Sequence, residues 1–141
     1  MNKALSIIAA IVMLAATSCW QQKGKNDKLG TLETEISIGK SQLPLQIDQF
    51  TMLTGLEVNG DYVYYIYEVE DTTGLVMGIA ANPDIIKRPI LESLERGEDP
   101  GAFYLYAENG KGVVNHYHDS RTGLVAEVTI TPQELQQATG R

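Results

Sequence analysis

The chain has 141 residues, room for a single domain, and its 43% hydrophobic and 21% charged residues argue against a wholly disordered chain. Eighteen acidic residues against eleven basic ones leave a net charge of −7, and no cluster of Lys and Arg interrupts it. That balance argues against a nucleic-acid partner, because a phosphate backbone is held by clustered cations.

The chain opens on the short basic segment Met1-Asn2-Lys3 and continues through residues 4–16, thirteen uncharged and almost wholly apolar positions. Such a run suits the apolar region of a secretion signal and falls short of the roughly 20 residues that cross about 30 Å of hydrocarbon. The small residues Ala15, Ala16, Thr17 and Ser18 then precede Cys19, the one cysteine in the sequence. The stretch "LAATSC" resembles the lipobox of bacterial lipoproteins, with Ala16 and Ser18 at its small positions. It departs from the pattern at Leu14, which stands one place further from the cysteine than is typical. The resemblance implies that residues 1–18 are a lipoprotein signal peptide and that Cys19 is the lipid attachment residue, carrying palmitate-type acyl chains into the membrane. The bland alternative is ordinary secretion, with Cys19 left as a free thiol in an oxidising compartment.

Residues 19–30 read as a flexible tether, polar apart from Trp20 and Leu29, with Lys23, Lys25 and Lys28 suited to anionic headgroups. By resemblance to lipoprotein sorting signals, Trp20 in place of an aspartate favours the outer membrane. The lack of an acidic run after the cysteine favours the periplasmic face.

Residues 31–138 form the expected single domain. Leu32, Thr34, Ile36 and Ile38 alternate with Glu33, Glu35 and Ser37, which predicts a strand. "GKS" at 39–41 lacks the first glycine of a phosphate-binding loop, Thr34 standing in its place, and reads as a turn. Asn59-Gly60 between "TMLTGLEV" and "DYVYYIYEVE" predicts a hairpin, with Val58 opposite Asp61. That register puts Met52, Thr54, Leu56, Val63, Tyr65, Tyr67 and Val69 on the core face. Glu57, Tyr62, Tyr64, Ile66 and Glu68 then point the other way.

Residues 71–74 break the strand, and residues 75–81 suit either a short strand or a helix lead-in. Asn82-Pro83-Asp84 predicts a helix start, Ile86, Ile90 and Leu94 its buried stripe, and Gly97 its end, with Pro89 kinking or dividing it. Asp99-Pro100 opens either a second short helix ending at Asn109-Gly110 or a strand over residues 103–106. "GVVNHYHD" and "LVAEVTIT" predict a further hairpin about residues 120–123, with Val113, Asn115, Tyr117, Ala126, Val128 and Ile130 on its apolar face. Pro132 ends it, leaving residues 133–141 as a frayed tail. The expected fold is α+β: a single antiparallel sheet built from hairpins, with one or two helices packed on one face.

Besides Cys19, two sets of residues could carry a function. His116 and His118 alternate onto one face, opposite Glu127 in the second hairpin, and could offer three ligands to zinc or a similar ion. The competing expectation is a solvated strand face. Tyr62 and Tyr64 point away from the core and could stack on sugars or anchor a protein, or simply shield strand backbone. For catalysis, lipidation of Cys19 removes the only thiol, and no serine sits in a Gly-x-Ser-x-Gly turn. The expectation is therefore a protein that is no enzyme and has no cofactor.

Residues 41–135 resemble small bacterial envelope lipoproteins of unknown function. The features that carry this are Tyr65-x-Tyr67, the helix near residues 83–96, and "NHYHD" through "EVTITP". The resemblance transfers no functional residue except Cys19. It implies a lipid-anchored envelope protein that binds another protein or an envelope component, in one version an inhibitor acting by occlusion. The alternatives are a metal-binding protein or metal-dependent enzyme using His-x-His, and a carbohydrate-binding module using the tyrosines. "DTT" at 71–73 also resembles a short acceptor for O-glycosylation in some bacterial envelopes.

Overall fold

Five strands pair in chain order to make one sheet: β1 (Leu45–Asp48), β2 (Thr51–Asn59), β3 (Tyr62–Val69), β4 (Gly112–Asp119) and β5 (Val125–Ile130). The computed structural model describes residues 31–99 and 101–141, so the signal segment, Cys19 and the tether lie outside the described residues. Five helices complete the fold: α1 (Leu32–Ser41), α2 (Leu75–Ala81), α3 (Asp84–Glu95), α4 (Phe103–Glu108) and α5 (Pro132–Thr139). No described helix is long and apolar enough to cross a membrane. The α+β class holds, with one correction to its topology. Three of the four strand pairings are antiparallel, but β3 and β4 run parallel, Tyr62 beside Gly112 through Val69 beside Asp119. The chain leaves the end of β3, crosses the sheet through α2, α3 and α4, and re-enters β4 at the end where β3 began. Such a crossover is what a parallel neighbour requires.

Two elements overturn the expectations drawn for them. Residues 32–38 are helical rather than extended, and Gly39 to Ser41 are the last turn of α1 rather than a separate turn. Thr31 accepts the Thr34 N–H on its side chain, Glu33 and Glu35 occupy the first turn, and both features favour a helix N-terminus. The covered positions of α1 are Leu32, Glu35, Ile36 and Gly39, a 3.6-residue stripe that the apparent alternation concealed. At the other end, residues 132–139 form α5 instead of fraying. Thr131 accepts the Glu134 N–H while the Glu134 carboxylate accepts the Thr131 N–H, a reciprocal capping box, and Pro132 takes the first helical position. Leu135 and Ala138 are buried, and Lys87 of α3 pairs with Glu134 at 2.7 Å.

The first hairpin forms at its Asn-Gly signal, but its turn sits one residue further along, which moves each expected partner by two. Asn59 faces Tyr62, so the loop residues are Gly60 and Asp61, and Leu56 pairs with Tyr65 rather than Val63. Gly60 takes φ +60°, which a side chain would oppose. A bulge between Leu53 and Gly55 shifts the partners again. The buried residues of β2 are therefore Thr51, Leu53 and Leu56, with Met52 half-buried and Thr54 exposed. On β3 the expected core set of Val63, Tyr65, Tyr67 and Val69 is buried.

Residues 75–81 are helical, α3 runs through Pro89 in one piece, and the Asp-Pro start opens helix α4 rather than a strand. The buried side chains of all five helices join one cluster with the core-facing side chains of the sheet. Asp99 holds the start of α4, accepting the N–H groups of Gly101, Phe103 and Tyr104. Tyr65 and Tyr106 meet hydroxyl to hydroxyl at 2.7 Å in the core, and Tyr67 stacks on Tyr117 with ring centroids 4.9 Å apart.

Asp71 does the same for α2, whose N-cap Gly74 offers no side chain. Its carboxylate accepts the N–H groups of Thr73, Leu75 and Val76 at 2.9–3.0 Å. Partial burial alone would push this carboxyl up, but the Val76, Leu75 and Thr73 N–H groups outweigh it and hold it below the usual carboxylate range. Glu134 is also lowered: burial opposes, and Lys87 with the Thr131 N–H prevails. Asp119 is lowered by the Thr122 hydroxyl and the Arg121 N–H. Each lowered group contributes stability above its unfolded value of about 4, and that contribution is lost as pH falls through its folded value. Asp99, raised by burial, acts in the opposite sense, losing its contribution as pH rises through its folded value. With three groups lowered and one raised, the urea midpoint falls between pH 5 and pH 2. Asp71→Ala lowers stability at pH 7 by about 1 kcal/mol, as loss of a helix cap does, and flattens that acid limb. An acid limb as steep as that of the parent would refute the assignment.

Candidate functional site

Helices cover one face of the sheet, and the other is open among the described residues. Residues side by side on neighbouring strands share a face, so the pairings define the open one row by row. Tyr62 lies beside Gly112; Tyr64 beside Val114 and then Thr129; Ile66 beside His116 and then Glu127; Glu68 beside His118 and then Val125. Two candidate sets that the sequence kept apart, Tyr62 with Tyr64 and His116 with His118, therefore lie on one surface. The parallel β3–β4 pairing brings them together. Val114 is 3% exposed yet stands outside the core cluster, covered on the open face by its neighbours.

The two tyrosines are not equivalent. A side chain added at Gly112 would place its Cβ 2.7 Å from Tyr62 Cε1, so the Tyr62 ring occupies the space over that glycine. Tyr62 thus shields strand backbone, as the bland reading of it holds. Ile66 does likewise over Gly55, where an added Cβ would lie 2.9 Å from its Cδ1. Tyr64, half-buried beside Val114, is the aromatic better placed to meet a ligand.

The second hairpin has the predicted register: Asp119 N–H bonds to Leu124 O, and His116 faces Glu127. His116 Nδ1 lies 2.8 Å from Glu127 Oε2. His118 turns the other way, across to β3, where its Nδ1 lies 2.8 and 3.0 Å from the Glu68 oxygens. Glu68 is the residue that sequence reasoning missed, since only the inter-hairpin pairing puts it beside His118. No three His, Cys, Asp or Glu side chains among the described residues are grouped to hold a metal ion. Thr72 and Thr73 of the "DTT" stretch are exposed in the loop that Asp71 organises.

No protein-family model matches the chain, and no curated protein does. It is similar to a solved structure, that of a candidate secreted protein (PA3611) of Pseudomonas aeruginosa. The TM-score is 0.56 at 14% identity, over 73% of this chain and 88% of that one. At that identity the likeness is one of fold.

Proposed function

We propose that the protein is a lipid-anchored module of the bacterial envelope that binds another protein through the open face of its sheet and catalyses no reaction. Acyl chains on Cys19 hold it to the membrane, by preference the periplasmic side of the outer membrane. The secreted assignment of the Pseudomonas protein with the same fold agrees with a signal peptide at residues 1–18.

The observation that carries this reading is the composition of the open face. Its middle is uncharged and partly apolar, with Tyr64 and Ile66 half-buried around the covered Val114. Charge stands around that middle, in Glu57 on β2, Glu68 on β3 and Glu127 on β5. An uncharged, aromatic centre inside a polar rim is the anatomy of protein interfaces. The partner this favours is a protein with an apolar contact ringed by Lys or Arg.

Photo-crosslinking in intact envelopes, from a probe at Thr129, tests it. The expected result is one discrete adduct that Tyr64→Ala weakens by roughly thirtyfold, a loss of about 2 kcal/mol typical of a central aromatic. A cooperative thermal transition within about 8 °C of the parent's would show that the variant is folded. No adduct with the anchor intact, or equal adduct from the variant, overturns the reading. Retention of glycans lost on Tyr64→Ala, with no protein adduct, would replace the protein partner by a carbohydrate.

A further inference from the structure

The two edges of the sheet are finished differently. β1 is four residues long, follows Pro44 and is bulged between Gln46 and Asp48. The Gln46 side-chain amide also donates to the Asp48 and Thr51 carbonyls. Shortness, a neighbouring proline and a bulge are devices that close an edge to further pairing. β5 has none of them. It pairs with β4 in unbroken register and contains no Gly, Pro or Lys.

The ladder decides which groups of β5 are free. Asp119 N–H bonds to Leu124 O, so by alternation Ala126, Val128 and Ile130 turn their N–H and C=O groups to β4. Val125, Glu127 and Thr129 turn theirs outward, where no strand follows. None of those three N–H groups has a partner among the described residues. The side chains of the same three residues are exposed on the open face, Val125 at 44%, and Leu124 just before them is 36% exposed.

Charge selects the occupant. Glu127, in the middle of the strand, is its one charged residue. A second copy pairing antiparallel through all three outward residues would set Glu127 against Glu127, and like charges directly opposite are unfavourable. A strand with Lys or Arg at that place gains an opposite-charge pair instead, on a chain of net charge −7.

We propose that β5 is the docking edge for an extended segment of a partner protein, which joins the sheet as a sixth strand with Lys or Arg opposite Glu127. The three outward N–H and three outward C=O groups hold its backbone, and its alternate side chains continue the open face beyond Val125, Glu127 and Thr129. This mode rests on the protein-partner reading above and adds the element that takes the partner and the conformation the partner adopts.

Titration of the full-length protein in detergent, followed by amide nitrogen-15 spectra and hydrogen exchange, tests it. The probe is the capped peptide Lys-Thr-Val-Lys-Val-Thr-Lys. One counterpart carries Glu at its centre, and another is N-methylated at the central Lys and both Thr. The expected result is shifts and slowed exchange centred on the Val125, Glu127 and Thr129 amides, with the Glu peptide about tenfold weaker and the methylated one not bound. Glu127→Lys reverses the preference between the first two peptides. Val125→Pro removes one outward N–H at the first residue of a strand, where proline is tolerated, and weakens the Lys peptide about fivefold. Equal binding of the methylated peptide, shifts centred elsewhere, or no saturable shift overturns the docking edge. Peptide binding with no adduct in the envelope keeps the edge and sinks the partner reading, while an adduct without peptide binding does the reverse.

Discussion

Replacing Cys19 by serine moves the protein from the membrane pellet to the soluble fraction and abolishes incorporation of labelled palmitate. Serine differs from cysteine by one atom and leaves residues 20–141 untouched, so the change isolates the proposed thioether. The energetics make the effect close to complete. One acyl chain gives only marginal membrane residence, while two or three, at about 0.8 kcal/mol per buried methylene, anchor a protein stably. What remains after their loss is weak by comparison. Lys23, Lys25 and Lys28 contribute about 1 kcal/mol each near an anionic surface, and salt screens that attraction. None of the described helices is long and apolar enough to cross a membrane. Fractionation in high salt is the measurement. A serine variant that stays in the pellet would show an attachment other than the lipid.

Tyr67→Ala destabilises the domain by about 3–5 kcal/mol, the range for emptying a buried aromatic site. Tyr67 is 1% exposed and fully inside the core, its ring stacked on Tyr117 at an interplanar angle of 10°. Removing it leaves a cavity between the centre of the sheet and the helices, and strips the Tyr117 ring of its stacking partner. Burial pushes the hydroxyl pKa of both tyrosines well up, so both stay protonated across the physiological range. For a domain of this size the loss corresponds to a drop of more than about 10 °C in melting temperature. Tyr64→Ala, three residues earlier on the same strand, is the control. Tyr64 lies on the open face, where truncation costs about 1 kcal/mol or less. Equal losses at the two positions would contradict the assignment of the faces.

The two tyrosines show how much of the fold could be read from the sequence. Period-two alternation in "YVYYIYEV" sorted β3 correctly, because a pleated strand has only two faces and the Asn-Gly turn marked where it began. The same rule misread residues 32–38. Seven residues in which Leu32, Thr34, Ile36 and Ile38 alternate with polar side chains satisfy a strand, and the Thr31 cap that decides for helix lies just outside the pattern. The capping box at Thr131 and Glu134 is legible too, but Pro132, which reads as a stop after a strand, is also a favoured first residue of a helix. On β2 a bulge at Thr54 replaced Met52 and Thr54 with Leu53 in the core, while the shifted turn, moving each partner by two, left the faces unchanged. A bulge leaves little trace in composition.

By itself the sequence determined the local rules: two hairpins, the helix starting near Pro83, and His116 opposite Glu127. Those depend on neighbours within about a dozen residues, where turn chemistry and periodicity act directly. Only the tertiary structure decided that β3 and β4 lie side by side and parallel. That pairing joins residues some 50 positions apart through a three-helix crossover, and it is selected by burying one face of both hairpins under the same helices. From it follow the His118–Glu68 pair and the single surface shared by the tyrosines and histidines.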